Sequence, residues 1–105
     1  MAGDETGGAF VVVAEFRVAP GRLEAFLAAA LDDARHFLAD EPGCRQFDVV
    51  CPEGARDAVL FPEVYDSRAA FDLHLATPHL DRFRAAVPAL VAEEKPVRFA
   101  VQRHP

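Results

Sequence analysis

Apolar residues recur along this chain in two rhythms, the two-residue period of a strand and the 3.6-residue period of a helix. Phe10, Val12, Ala14, Phe16 and Val18 alternate through the first apolar run, with Glu15 and Arg17 on the opposite face, and predict a strand over 10–18. Ala19, Pro20 and Gly21 break it. Leu23, Phe26, Leu27, Ala30, Leu31, Ala34, Phe37 and Leu38 then repeat at helical spacing until Glu41, Pro42 and Gly43 stop them. Cys44–Cys51 reads as a second strand, 52–57 as a polar turn, and Ala58–Tyr65 as a third strand close enough to pair as an antiparallel hairpin. Asp66 or Ser67 caps a short helix running to about Ala76. Thr77 followed by Pro78 starts another, with Leu80, Phe83, Val87, Leu90 and Val91 on one stripe and Pro88 kinking it or ending its regular part. Pro96–Arg103 sets Val97, Phe99 and Val101 against Arg98 and Gln102, a last strand.

With right-handed crossovers, the order strand, helix, strand, strand, helix, strand folds as an α+β, ferredoxin-like βαββαβ unit, a four-stranded antiparallel sheet with its helices on one face. The other face is then bare. Strands apolar on both faces, such as 10–13 and 97–101, predict a homodimer closed sheet to sheet, with Val11, Val13 and Val101 assigned to the covered face. Met1–Ala9 is rich in Gly and short of large apolar groups, so a disordered N-terminal tail is expected, leaving 10–105 as a single domain.

A chain of 105 residues, 51% apolar, builds one core and one modest pocket rather than the two lobes of a nucleotide enzyme. Its 11 basic and 17 acidic residues give a net charge of −6, and its arginines lie singly, a poor basis for binding nucleic acid. No run approaches the roughly 20 apolar residues of a membrane helix. The opening residues lack the regions of a signal peptide, so a soluble, cytoplasmic protein is expected, with no nucleic acid or membrane among its partners. Cys44 and Cys51 fall at opposite ends of the predicted strand, roughly 23 Å apart, too far to bridge, and each reads as a small buried hydrophobe. No metal-ligand spacing, phosphate loop or dinucleotide fingerprint occurs, so neither metal nor cofactor is expected. The single lysine, Lys95, adjoins Pro96 at a strand start, which argues against Schiff-base chemistry.

Candidate chemistry concentrates between Phe61 and His79. His74 falls between Ala70 and Phe71 on the apolar face of its helix and looks inward. Glu63 and Tyr65, two apart on a strand, share one face. A buried glutamate needs a partner, and His74 is the candidate. Each residue has a plainer reading beside this one: His74 as a satisfied core histidine, Glu63 as an interface ion pair, Tyr65 as core. His36 falls on the polar side of the first helix, His79 reads as a local hydrogen-bonding residue, and His104 belongs to the terminus.

Glu41, Pro42, Gly43, Cys44 and Phe47, followed by Phe61, Glu63, Tyr65, Ser67, Ala70, His74, Thr77, Pro78, His79 and Phe83, resemble the antibiotic biosynthesis monooxygenase family over 10–103. The resemblance implies a dimeric α+β barrel of ferredoxin-like protomers. The family includes cofactor-independent oxygenases of polycyclic phenols or quinols, haem-degrading enzymes and an isomerase of a signalling sugar phosphate. Tyr65 stands where many relatives carry tryptophan, and Phe47 where many carry tyrosine. The haem-degrading relatives use an asparagine on the first strand and a tryptophan on the third, and this sequence contains neither residue type. What the resemblance leaves is cofactor-free oxidation of a phenolic, quinol or polyketide-type small molecule by dioxygen. In that reading His74 takes the phenolic proton, Glu63 orients the imidazole, and Tyr65 hydrogen-bonds the substrate oxygen. Phe26, Phe37, Phe47, Phe61, Phe71, His79 and Phe83 would line the pocket. Two other functions stay open: a non-catalytic dimer that binds a small ligand or supports another enzyme, and an isomerase using the same base.

Overall fold

The computed structural model describes residues 8–104. Five strands and three helices follow one another as β1 (Phe10–Val18), α1 (Leu23–Asp40), β2 (Cys44–Phe47), β3 (Ala58–Tyr65), α2 (Arg68–His74), α3 (Pro78–Leu90), β4 (Val91–Glu94) and β5 (Arg98–Val101). Residues 1–7, most of the predicted tail, lie outside the described residues. Ala9 is buried, and its carbonyl accepts a bond from Gln102 N at 2.8 Å. Among the described residues no helix is long and apolar enough to cross a membrane.

The ferredoxin-like α+β fold is present, with five antiparallel strands instead of four. The sheet runs β2-β3-β1-β4, and β5 also pairs with β1. β4 and β5 share one edge of β1: Phe16 faces Glu94, and Val13 faces Arg98. Between those two pairs, residues 14 and 15 stand opposite 95, 96 and 97, so the last strand carries one extra residue where Pro96 can donate no ladder bond. Val91 therefore belongs to β4 and not to the helical stripe. Pro88 stays inside α3, which runs two residues past it to Leu90.

Alternation along β1 and β3 decides the core. Phe10, Val12, Ala14, Phe16 and Val18 are buried on the face that Val59, Phe61, Glu63 and Tyr65 share. Phe26 and Phe37 from α1, Phe71 from α2 and Phe83 from α3 pack on that face, so all the helices lie on one side of the sheet. The buried stripe of α1 is Phe26, Ala30, Asp33, Ala34 and Phe37, while Leu31 and Leu38 are 43% and 52% exposed. On the bare side Val11 faces Val64 and Val13 faces Pro62, all half-buried. Val101 is not with them: it pairs with Phe10 and so shares the helix side of the sheet.

The predicted strand over 44–51 is regular only to Phe47, because its register shifts between Cys44 and Gln46 and it resumes as a lone bridge between Val50 and Leu60. Cys44 is half-buried and Cys51 exposed, so neither is the buried hydrophobe expected, and both are free thiols. Phe26, fully buried, meets Phe16, Phe61 and Phe83 with ring centroids 5.3, 5.9 and 5.8 Å away. Truncating it leaves a hole that three rings from separate elements cannot all close. Phe26→Ala is expected to cost about 3–5 kcal/mol in urea unfolding; a loss below about 1 kcal/mol would show that this ring cluster does not hold α1 to the sheet.

Candidate active site

Three segments deliver the polar groups. Glu41 is the residue on which α1 ends, its extended backbone (φ −112°, ψ 106°) leaving the helix axis. Gly43 follows; a Cβ there would lie 2.6 Å from the Ala70 Cβ, so glycine lets the turn close against α2. Ser67 caps α2 by accepting from Ala70 N at 3.1 Å. Thr77 Oγ1 accepts from Leu80 N at 3.4 Å and donates to the His74 carbonyl at 2.8 Å, tying the end of α2 to the start of α3. The histidines on either side of that junction thereby reach one carboxylate.

His74 Nδ1 donates to Glu41 Oε2 at 2.8 Å, and His79 Nε2 donates to the same oxygen at 2.5 Å. Cys44 Sγ donates to Glu41 Oε1 at 3.2 Å. Both histidines are 3% exposed. A carboxylate can only accept, so the proton sits on Nδ1 of His74, and Nε2 is left as the basic nitrogen. Burial, reinforced by the bond to Glu41, pushes the Cys44 thiol far above its usual range, so it is no nucleophile. His36 is half-buried and stacks on His79 at 5.6 Å, near Asp32 and Arg82.

Glu41, His74 and His79 also offer ligand atoms within 4.8 Å of one another, two imidazoles and a carboxylate of the kind that takes a divalent metal. Contacts of 2.5 and 2.8 Å are hydrogen-bond lengths, however. Neighbouring ligands around a tetrahedral metal stand roughly 3.3 Å apart, so the three groups as placed satisfy one another.

The expected Glu63–His74 pair does not form. Glu63 and Tyr65 do share the inner face of β3, and the Tyr65 hydroxyl donates to Glu63 Oε1 at 2.6 Å. Burial pushes the Glu63 carboxyl up to about 8; the Tyr65 bond opposes this, and the charges of Asp33 and Glu41 add to it. Tyr65 itself is fully enclosed, and burial together with Glu63 holds its phenol well above the usual range.

A cavity of about 650 Å³ opens between the sheet and the helices. Val12, Ala14, Phe16, Phe61 and Glu63 form its floor, Phe71, His74, Leu80, Phe83 and Val87 its roof, and Val97 and Phe99 one edge. Of the predicted pocket residues, Phe61, Phe71 and Phe83 line it along with His74 and Glu63. Phe26, Phe37 and Phe47 do not: they are filled core, at 0%, 0% and 6% exposure, because their rings are spent packing α1 and β2 onto the sheet. Tyr65 and His79 are likewise off the cavity wall, turned to Glu63 and Glu41.

Two site residues escaped the sequence reading. Glu41 passed as part of a helix terminator. Asp33, 2% exposed and on the cavity wall, lies three residues after Ala30 and four before Phe37, on the apolar stripe of α1. A charge at that spacing was the available signal.

A ferredoxin-like sheet with a histidine–carboxylate pair beside an apolar cavity defines a small-molecule site of the α+β class. The profile of the family described as Antibiotic biosynthesis monooxygenase matches residues 9–86, and the chain belongs to that family. An uncharacterized protein of Synechocystis is 31% identical over 91 residues, covering 84% of this chain and 59% of its own length. The Mycobacterium tuberculosis protein named "Putative monooxygenase Rv0793" is 37% identical over 90 residues, covering 86% and 85%. The solved structure of Rv0793 superposes with a TM-score of 0.77 at 28% identity, over 93% of this chain and 96% of that one. A Bacteroides thetaiotaomicron structure bearing the family's name reaches 0.84 at 24% identity, over 98% and 95%, a likeness of fold.

Glu63 sets a pH dependence. Its folded carboxyl titrates at about 8 against an ordinary 4.5, so between those values the folded chain keeps a proton that the unfolded chain has released. Stability therefore falls as pH rises through that window, by up to about 1.4 kcal/mol per pH unit. Urea midpoints at pH 5, 6.5 and 8 should show this fall in the wild type and a flatter profile in Glu63→Gln. Identical slopes would mean Glu63 is charged throughout.

Proposed function

We propose that this protein is a cofactor-independent monooxygenase that oxidises a phenolic or quinol small molecule with dioxygen. The observation that carries the reading is His74: its Nδ1 is held by Glu41 at 2.8 Å while the residue lines a cavity of about 650 Å³ that Phe16, Phe61, Phe71, Phe83 and Phe99 line with it. A carboxylate fixed on one ring nitrogen sets the tautomer and aims the other nitrogen. Phe61, Phe71 and Phe83 offer the flat body of an aromatic substrate an apolar surface beside His74. The family and the name of the mycobacterial relative support the class of reaction.

In this reading His74 Nε2 removes the phenolic proton, and the phenolate passes one electron to dioxygen. The resulting radicals join through a new C–O bond. The O–O bond of that hydroperoxide then breaks, the ring carbon loses its hydrogen as a proton, and the distal oxygen leaves as water. Phenol and dioxygen thus give quinone and water, with both oxygen atoms accounted for. Glu63, protonated below pH 8, is the group placed to give a proton to the departing oxygen. It takes the hydrogen-bonding role first assigned to Tyr65, and Glu41 takes the orienting role first assigned to Glu63.

Oxygen uptake with a panel of quinols tests this. His74→Ala is expected to lower the rate by about a hundredfold or more, and Glu41→Gln by a smaller factor, because the imidazole remains but is neither charge-balanced nor fixed. Equal rates in wild type and His74→Ala remove His74 from the mechanism. Turnover that persists without oxygen points instead to the isomerase.

The reading includes a homodimer closed over the bare sheet face, where Val11, Val13, Leu60, Pro62 and Val64 stand half-exposed. Val13→Asp would place a charge at both copies of the contact and cost about 3–5 kcal/mol per uncompensated ion. Sedimentation should then report monomer or aggregate; an unchanged dimer would put Val13 outside the interface.

A further inference from the structure

The cavity is largely apolar within and charged at its mouth. Arg68, Arg84 and Glu94 line it alongside Val97 and Phe99, and all five are exposed, so the opening carries two cations and one anion in a chain whose net charge is −6. The charges are not spread evenly. Arg84 follows Phe83, whose ring packs on Phe16 at 5.7 Å, and Glu94 faces Phe16 in the sheet, so these two opposite charges belong to the Phe16 end of β1. Arg68 stands at the other end, its guanidinium carbon 5.2, 5.9 and 5.3 Å from the ring centroids of Phe10, Phe71 and Phe99.

Three rings hold that guanidinium by cation–π attraction and leave its N–H edge unspent. Among the described residues no hydrogen bond uses it; Asp72 comes only to 3.6 Å of Nε, in an exposed pair with the cation four residues before the anion, the weaker order on a helix. A cation in the first turn of α2 also opposes the helix dipole, so helix stability does not account for it. Its position supplies a use. Arg68, Phe71 and His74 recur at three-residue spacing, which puts Arg68 and His74 about 60° to either side of Phe71 around α2 and about 9 Å apart along its axis. All three line the cavity, so a flat ring system lying along Phe71 meets a cation at one end and His74 at the other.

We propose that Arg68 is the anion-binding residue of this cavity and that its ligand is an aromatic carboxylate, with the carboxyl group on the guanidinium edge and a hydroxyl of the same ring system at His74. The proposal rests on the phenol-binding reading of the site and narrows the substrate to hydroxylated aromatic acids. One guanidinium with Asp72 beside it suits a single negative charge, and its planar fork matches a carboxylate. A neutral phenol fills the same apolar space and leaves that fork to water.

Calorimetric binding without oxygen tests the proposal separately from any oxidation. The probes are 6-hydroxy-2-naphthoate, its uncharged amide and 2-naphthol. Wild type should bind the carboxylate about fivefold more tightly than the amide at low salt, the size expected of a partly exposed ion pair, and the difference should shrink as salt is added. Arg68→Gln should erase the preference and leave the 2-naphthol affinity unchanged, while Arg68→Lys, which keeps the charge without the fork, should keep part of it. Arg84→Gln should keep most of it, because that cation belongs to the other end of the mouth. No preference in the wild type, a preference that survives in Arg68→Gln, or one that Arg84→Gln erases would each overturn the assignment. So would an equal loss for all three probes in Arg68→Gln, which is the mark of a packing role. Failure of quinol oxidation with the carboxylate preference intact would overturn the proposed reaction and leave the role of Arg68 standing.

Discussion

One carboxylate holds this site together. Glu41 accepts bonds from His74, His79 and Cys44, and those residues come from α2, α3 and β2 while Glu41 itself ends α1. The end of α1 and the start of β2 are joined through the turn at Gly43, whose missing Cβ admits Ala70 of α2. Among the described residues nothing else in the polar network touches so many elements. The geometry is self-consistent in the sense that buried polar networks require: the donors that Glu41 needs are groups that would otherwise be buried unpaired. The Thr77 hydroxyl serves the same end by joining the last turn of α2 to the first of α3 and so fixing the spacing of the histidines.

Glu41 and Glu63 differ in the number of donors that reach them. Glu41 has donors on both oxygens, whereas Glu63 accepts one bond, from Tyr65, and sits at 6% exposure on an aromatic floor. With one neutral donor set against desolvation, desolvation wins, and the proton is retained to about pH 8.

Much of the fold was legible because alternation and helical spacing are local. Phe10–Val18 and Ala58–Tyr65 are predicted and found with the same bounds, and Ser67 and Thr77 cap the helices they were expected to start. What was not legible depends on register. Val91–Glu94 has the composition of a helix end and becomes a strand because β1 offers an open edge beside it. Val101 was placed with Val11 and Val13, and the extra residue around Pro96 leaves it opposite Phe10 instead. No periodicity within one segment carries that slip.

The site was legible in residue type more than in partnership. His74, Glu63, Phe61, Phe71 and Phe83 reach the cavity as the spacing suggests, since a helix face and a strand face each fix a direction. Which carboxylate meets His74 is a question of distance through the fold, and the nearer candidate in sequence lost. Glu63 stands 11 residues before His74 and pairs with its own strand neighbour; Glu41 stands 33 before it and makes the bond. Phe26, Phe37 and Phe47 show the same limit from the other direction: phenylalanine on an inward face serves core and pocket alike, and the difference lies in whether another ring already occupies the space in front of it. Asp33 is the informative exception. A charged residue on an apolar stripe breaks the local pattern at a cost to folding, so it is visible from spacing alone, where the partner of His74 is not.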